Sequence, residues 1–125
     1  MIDLKIELLK FEDLNSYKEL IDECFGMSNS IEKYEKYRAN EGYKIFVVKD
    51  ENVIVGSATQ YEIDLFTFDF QPCLMLFNVA VKETYREHKI AKKLLEHIIE
   101  NARNNGYQSI ALTCLDTSYP AHKLY

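Results

Sequence analysis

A chain of 125 residues, 47% of them hydrophobic, is sized for one domain with its own core, spanning residues 1–125. Its 20 acidic residues against 15 basic ones give a net charge of −5, which argues against general nucleic-acid binding, and no apolar stretch approaches a membrane span. Cys24, Cys73 and Cys114 lie in apolar runs without metal-ligand spacing, and the first ten residues lack a signal peptide's apolar centre. A reduced, cytoplasmic protein that needs no metal is therefore expected.

In chain order, Leu4, Ile6 and Leu8 alternate with charged residues and predict a half-buried strand. Asp13 is placed to cap a helix whose Leu14, Tyr17, Leu20, Ile21, Cys24 and Phe25 share one face, with Gly26 as its stop. Asn29 and Glu32 have capping-box spacing and open a second, more polar helix carrying Ile31, Tyr34 and Tyr37 and ending near Gly42. Tyr43 to Lys49 and Val53 to Tyr61 read as a hairpin around Asp50-Glu51-Asn52, and Gly56 marks a bulge or a close backbone approach. Ile63 to Phe70 mixes aromatic and polar residues as a hairpin tip or an acceptor-side loop. Leu74 to Val81 reads as a buried strand. It leads through a polar turn into a helix with Ile90, Ala91, Leu94, Leu95, Ile98, Ile99 and Ala102 on one face, ended by Asn105-Gly106. Ser109 to Leu115 returns as a strand, which makes a β-α-β unit with parallel strands. Pro120 then suits the first residue of a helix.

The turn between strand and helix carries unusual charge. Helix N-termini favour acidic residues, yet Arg86, His88, Lys89, Lys92 and Lys93 gather here. Unpaired amides with fixed cations beyond the carboxyl end of a strand form a seat for a phosphate-bearing ligand. A solvated basic face is the plainer alternative.

Val79-Ala80-Val81, Tyr85-Arg86 and Ile90-Ala91 resemble the acetyl-CoA motif of the GNAT N-acetyltransferases, a strand followed by R/Q-x-x-G-x-G/A and a helix. Leu76-Phe77-Asn78 is similar to the ribosomal-protein N-acetyltransferase branch, and Ala121-His122-Lys123-Leu124-Tyr125 resembles the second signature, A-x-x-L-Y. The resemblance implies an α/β fold, a mixed, mostly antiparallel sheet around a central parallel β-α-β unit. The closing C-terminal hairpin of that fold is absent, so a shortened chain is expected. It implies acetyl-CoA as cosubstrate, bound by Asn78, Val79, Ala80 and Val81 along the strand and by Arg86, Glu87, His88, Lys89, Ile90, Ala91 and Lys92 around the diphosphate. Ser118 stands where the branch carries Asn and is counted with that set. Lys89 takes a position that is often glycine in the family; the turn is expected to keep ordinary backbone angles, with Lys89 adding a phosphate contact.

Tyr125 aligns with the family's general acid, and a phenol with pKa near 10 suits protonation of a thiolate. No base is identified: the branch's glutamate is Thr113 here, and Glu62, Asp64 and Asp69 read as solvated charges more readily than as proton acceptors. Cys114 lacks a base partner for nucleophilic work, and His97 and His122 read as packing or surface groups. The implied function is direct acetyl transfer to a primary amine of a small molecule or peptide. The rival readings are a catalytically impaired acyl-CoA-binding protein or a self-associating interaction protein. Because Ser109 to Leu115 would lack a neighbouring strand, a homo-oligomer paired through the exposed sheet edge is expected.

Overall fold

The computed structural model describes residues 4–26, 30, 32, 42–64, 72–107 and 110–112. Its strands are β1 (Leu4–Leu8), β2 (Tyr43–Asp50), β3 (Val53–Asp64), β4 (Pro72–Val81) and β5 (Ile110–Leu112). Its long helices are α1 (Leu14–Phe25) and α2 (Ile90–Asn104), each preceded by a 3-10 turn, at Phe11–Asp13 and Glu83–His88. The sheet runs in the order β1-β2-β3-β4-β5, antiparallel at each pair except β4 with β5, which is parallel. Parallel neighbours need a crossover, and α2 supplies it. The expected mixed, mostly antiparallel α/β fold is therefore the observed one.

Strand alternation puts one helix on each face. In β2, Phe46 and Val48 join Ile90, Leu94, Leu95 and Ile98 of α2 in one cluster, while Val47 between them joins Leu20 of α1 in the other. Burying each such aliphatic side chain stabilises by about 1.5–3 kcal/mol, so the α2 stripe is the main glue of its layer. Ile99, expected on that stripe, is instead 42% exposed, because it falls on the stripe's margin while Ile98 takes the centre.

The helix ends follow local chemistry, with one correction. Gly26 closes α1 in the left-handed region at φ 63°. Asp13 occupies the N-cap position of α1 but makes no capping bond. Its carboxylate instead accepts from Lys49 Nζ at 3.0 Å, a charge-assisted bond that outcompetes a neutral amide for a buried carboxylate. The Lys49 ammonium is pushed above its ordinary pKa chiefly by that bond. Ser16 also ties α1 to the sheet by accepting the Ile54 N–H at 2.9 Å.

Gly56 fulfils both expectations placed on it. The β2/β3 register slips between Val48↔Gly56 and Lys49↔Ile54, which leaves Val55 as the extra residue of a bulge. A Cβ on Gly56 would stand 2.7 Å from Ile90 Cγ2, so its missing side chain lets α2 sit down on β3.

The second polar helix, apart from Ser30, Glu32 and Gly42, the hairpin tip over residues 65–70, and Ser109 with the strand end over residues 113–115 lie outside the described residues, as does Cys114. Of the other cysteines, Cys73 is buried and Cys24 half-buried, both as free thiols. No described helix is long and apolar enough to cross a membrane.

Candidate functional site

The site begins with a break in β4. Thr59 pairs with Phe77 and Ser57 with Ala80, so Ala58 alone faces both Asn78 and Val79. Asn78 makes room for the extra residue by adopting φ 54°, a left-handed conformation that Asn tolerates better than most residues. The bulge shifts the alternation by one: Leu76, Val79 and Val81 all pack toward α2, whereas Ala80 turns toward α1. The bulge disrupts the β3/β4 ladder locally, opposite Ala58. On the other side of β4, pairing with β5 extends over Leu74↔Ile110, Met75↔Ala111 and Leu76↔Leu112 among the described residues.

Past Val81 the chain enters the 3-10 turn. Lys82 N–H donates to the Val55 carbonyl at 2.8 Å and Tyr85 N–H to the Lys82 carbonyl at 2.8 Å. The carbonyl of Val81 accepts twice, from Arg86 Nε at 3.3 Å and from the Cys24 thiol at 3.5 Å. Burial pushes that thiol's pKa up, and the Arg86 guanidinium beside it partly offsets the rise. The Tyr85 hydroxyl donates to Asp50 Oδ2 at 2.6 Å, a bond that holds the phenol's pKa above its ordinary value. The ring centroids of Tyr85 and His88 lie 5.9 Å apart.

Lys89 is the hinge between the turn and α2, and it corrects the sequence-based expectation for this position. Its backbone is left-handed, at φ 56° and ψ 34°, not in ordinary dihedral space. The physical reason is directional: the chain must leave a 3-10 turn and start a helix whose first residue is wedged onto Gly56, and the left-handed residue makes that corner. For an L-residue this costs about 1–2 kcal/mol, which explains why glycine suits the place.

The mouth of α2 has no internal cap. Lys89 makes no side-chain capping bond, no acidic residue lies in the first turn, and the first intrahelical bond is Lys93 N–H to the Lys89 carbonyl at 3.1 Å. The amides ahead of it lack an intrahelical acceptor by the geometry of a helix. Arg86, His88, Lys89, Lys92 and Lys93 are exposed, and among the described residues none of them enters an ion pair. In an acidic protein, unpaired cations beside uncapped amides fit an anionic ligand such as a diphosphate.

The structure thus brings Asn78, Val79, Ala80, Val81, Arg86, Glu87, His88, Lys89, Ile90, Ala91 and Lys92 into one continuous segment. Ile90 and Ala91 are buried, so they can offer only main-chain groups. Ser118, Thr113, His122 and Tyr125 lie outside the described residues, as does Asp69. Glu62 is a strand residue that accepts from the Tyr107 hydroxyl, not a loop charge. The ring of His97 meets that of Phe46 edge-on at 6.0 Å. Among the described residues no cluster of His, Cys, Asp or Glu is placed to hold a metal. Sequence reasoning missed the left-handed Asn78 and the Tyr85–Asp50 bond. An Asn inside an apolar strand was the available signal for the first; nothing local signals the second.

A profile described as the acetyltransferase (GNAT) family matches residues 14–125. An uncharacterised N-acetyltransferase of Schizosaccharomyces pombe is 28% identical over 124 residues, covering 91% of this chain and 74% of that protein. An aminoglycoside acetyltransferase from an uncultured soil metagenomic sample, solved with sisomicin, is 27% identical, with a TM-score of 0.82 over 96% of this chain and 83% of that one. The ribosomal-protein-alanine N-acetyltransferase of Brucella melitensis shares the fold, with a TM-score of 0.81 over 98% of this chain and 88% of that one, at 16% identity.

Proposed function

This chain belongs to the acetyltransferase (GNAT) family of enzymes, and from that premise we propose that it binds acetyl-CoA and passes the acetyl group directly to a primary amine of a small molecule or peptide. The observation that carries the reading is one segment with two openings: a bulge at Asn78 and Val79, and a helix mouth with uncapped amides and unpaired cations. The residues present therefore fit a ligand that carries both a carbonyl and a diphosphate.

In this reading the backbone of Asn78 to Val81 pairs with the amide arm of the donor, much as an added strand would. The Val79 N–H, at the bulge, stabilises the oxygen that gains charge when the amine attacks the thioester carbon. Arg86, Glu87, His88, Lys89, Ile90, Ala91 and Lys92 seat the diphosphate through main-chain amides and basic side chains, and Ser118 adds a contact. As the C–N bond forms and the C–S bond breaks, Tyr125 protonates the departing thiolate, and the new ammonium loses its proton to solvent. With a pKa of about 10, a phenol still carries at neutral pH the proton that this transfer needs.

Thermal stabilisation by CoA tests the donor. Saturating CoA should raise the melting temperature of the wild-type chain and leave an Arg86→Glu, Lys89→Glu double variant unmoved; an unshifted wild type refutes the reading. Release of free thiol from acetyl-CoA with a panel of amines, aminoglycosides included, then tests transfer. Stabilisation without thiol release from any amine would leave a CoA-binding protein in place of an active transferase.

A further inference from the structure

We infer that the hydrogen bond from Tyr85 to Asp50 sets the diphosphate turn in its binding geometry, which makes Tyr85 a positioning residue for the acyl donor; this rests on the functional reading above. Tyr85 is the half-buried residue of the Glu83–His88 turn, whose other members are all exposed. Its ring packs against the core cluster beneath α2, and its hydroxyl reaches Asp50 Oδ2 at 2.6 Å, at the far end of β2. Asp50 is itself well fixed, paired with Leu4 of β1 and with Val53 across the hairpin turn.

The turn needs such a tie. Most of its other bonds are local: Tyr85 N–H to the Lys82 carbonyl, and Arg86 Nε to the Val81 carbonyl. It ends at Lys89, which is held left-handed, and backbone strain of that kind persists only where the surroundings over-determine it. Tyr85 supplies that constraint from one side and the seating of Ile90 on Gly56 from the other. The contact between the Tyr85 and His88 rings extends the same order to a basic side chain of the turn. Apart from the ring contact with His88, Tyr85 acts through the turn that carries the amides and cations of the seat. Its phenol keeps its proton through the neutral range, because the Asp50 carboxylate beside it disfavours ionisation.

Calorimetric titration of the full chain with CoA tests this, with the unliganded melting temperature as a control. Tyr85→Phe keeps the ring in the core and removes only the donor, so it should weaken CoA binding about tenfold, the scale of one hydrogen bond to a charged group. Asp50→Ala should match that loss, and Asp50→Asn, which keeps an acceptor, should recover most of it. Amide hydrogen exchange at Lys89 to Ala91 in the unliganded chain should speed up in Tyr85→Phe and not in Asp50→Asn. Wild-type affinity in Tyr85→Phe, or a failure of Asp50→Asn to recover what Asp50→Ala loses, overturns the positioning role alone. A wild-type chain that does not bind CoA overturns the functional reading and this inference with it.

Discussion

Ile90 rests on Gly56: the position a Cβ would take on the glycine is 2.7 Å from Ile90 Cγ2, closer than real side-chain carbons come. The methyl cannot swing away easily, since Ile is stiff at χ1 and Ile90 is almost wholly enclosed. Gly56→Ala should therefore push the mouth of α2 off the sheet and destabilise the chain by about 1–3 kcal/mol. Urea unfolding measures the loss, and CoA titration should show weaker binding by the folded fraction. An unchanged unfolding midpoint would mean that α2 retreats freely.

Asn78 is the second lever. A β-branched side chain tolerates the left-handed region poorly, so Asn78→Val should close the bulge or strain it, at about 1–3 kcal/mol. If the Val79 N–H stabilises the transition state, thiol release should fall by about a hundredfold. CoA affinity, set mainly at the helix mouth in the proposed reading, should change much less. Asn78→Gly accepts the same backbone angles and should keep most activity.

Lys89→Gly separates strain from charge. The substitution removes the left-handed penalty of about 1–2 kcal/mol but makes the unfolded chain more flexible, so a net gain of roughly 0.5–1 kcal/mol is expected in thermal unfolding. Lys89→Ala keeps the strain and should bring no such gain. Both lose a cation, so the salt dependence of CoA binding should become shallower in each.

The Asp13–Lys49 pair contributes to the alkaline limit, together with the raised phenols of Tyr85 and Tyr107. Lys49 also lies 3.4 Å from Glu7 Oε1, which strengthens the preference for its charged form. Its folded pKa is raised above the ordinary 10.5, so its contribution is complete below that value and is lost as pH rises through the higher folded value. Unfolding midpoints should fall above about pH 10.5 in the wild type, and Lys49→Met should make that fall shallower. In a double-mutant cycle, Asp13→Asn and Lys49→Met should prove non-additive.

Much of the site could be read along the chain because its signals are local. The apolar stripe of α2, the Asn105-Gly106 stop and the cations crowding the helix entrance lie within a short stretch, and helix periodicity carries them. Gly56 was legible for a similar reason, since a glycine inside a strand implies that something comes close. Asp13 misled because capping chemistry was judged without Lys49, which is distant in sequence and adjacent only once β2 lies beside α1. Lys89 misled because its backbone angle answers to where α2 must land and not to its own side chain.

Read by itself, the amino-acid order determined the element types, the faces they bury and the place where positive charge accumulates, for these depend on neighbours a few residues apart. Tertiary structure decided the bulge at Asn78, the left-handed corner at Lys89 and the pairing of Tyr85 with Asp50. Each of those is the outcome of fitting a helix, a turn and a twisted sheet into the same space. Steric fit between segments far apart in sequence leaves no periodic trace in either of them.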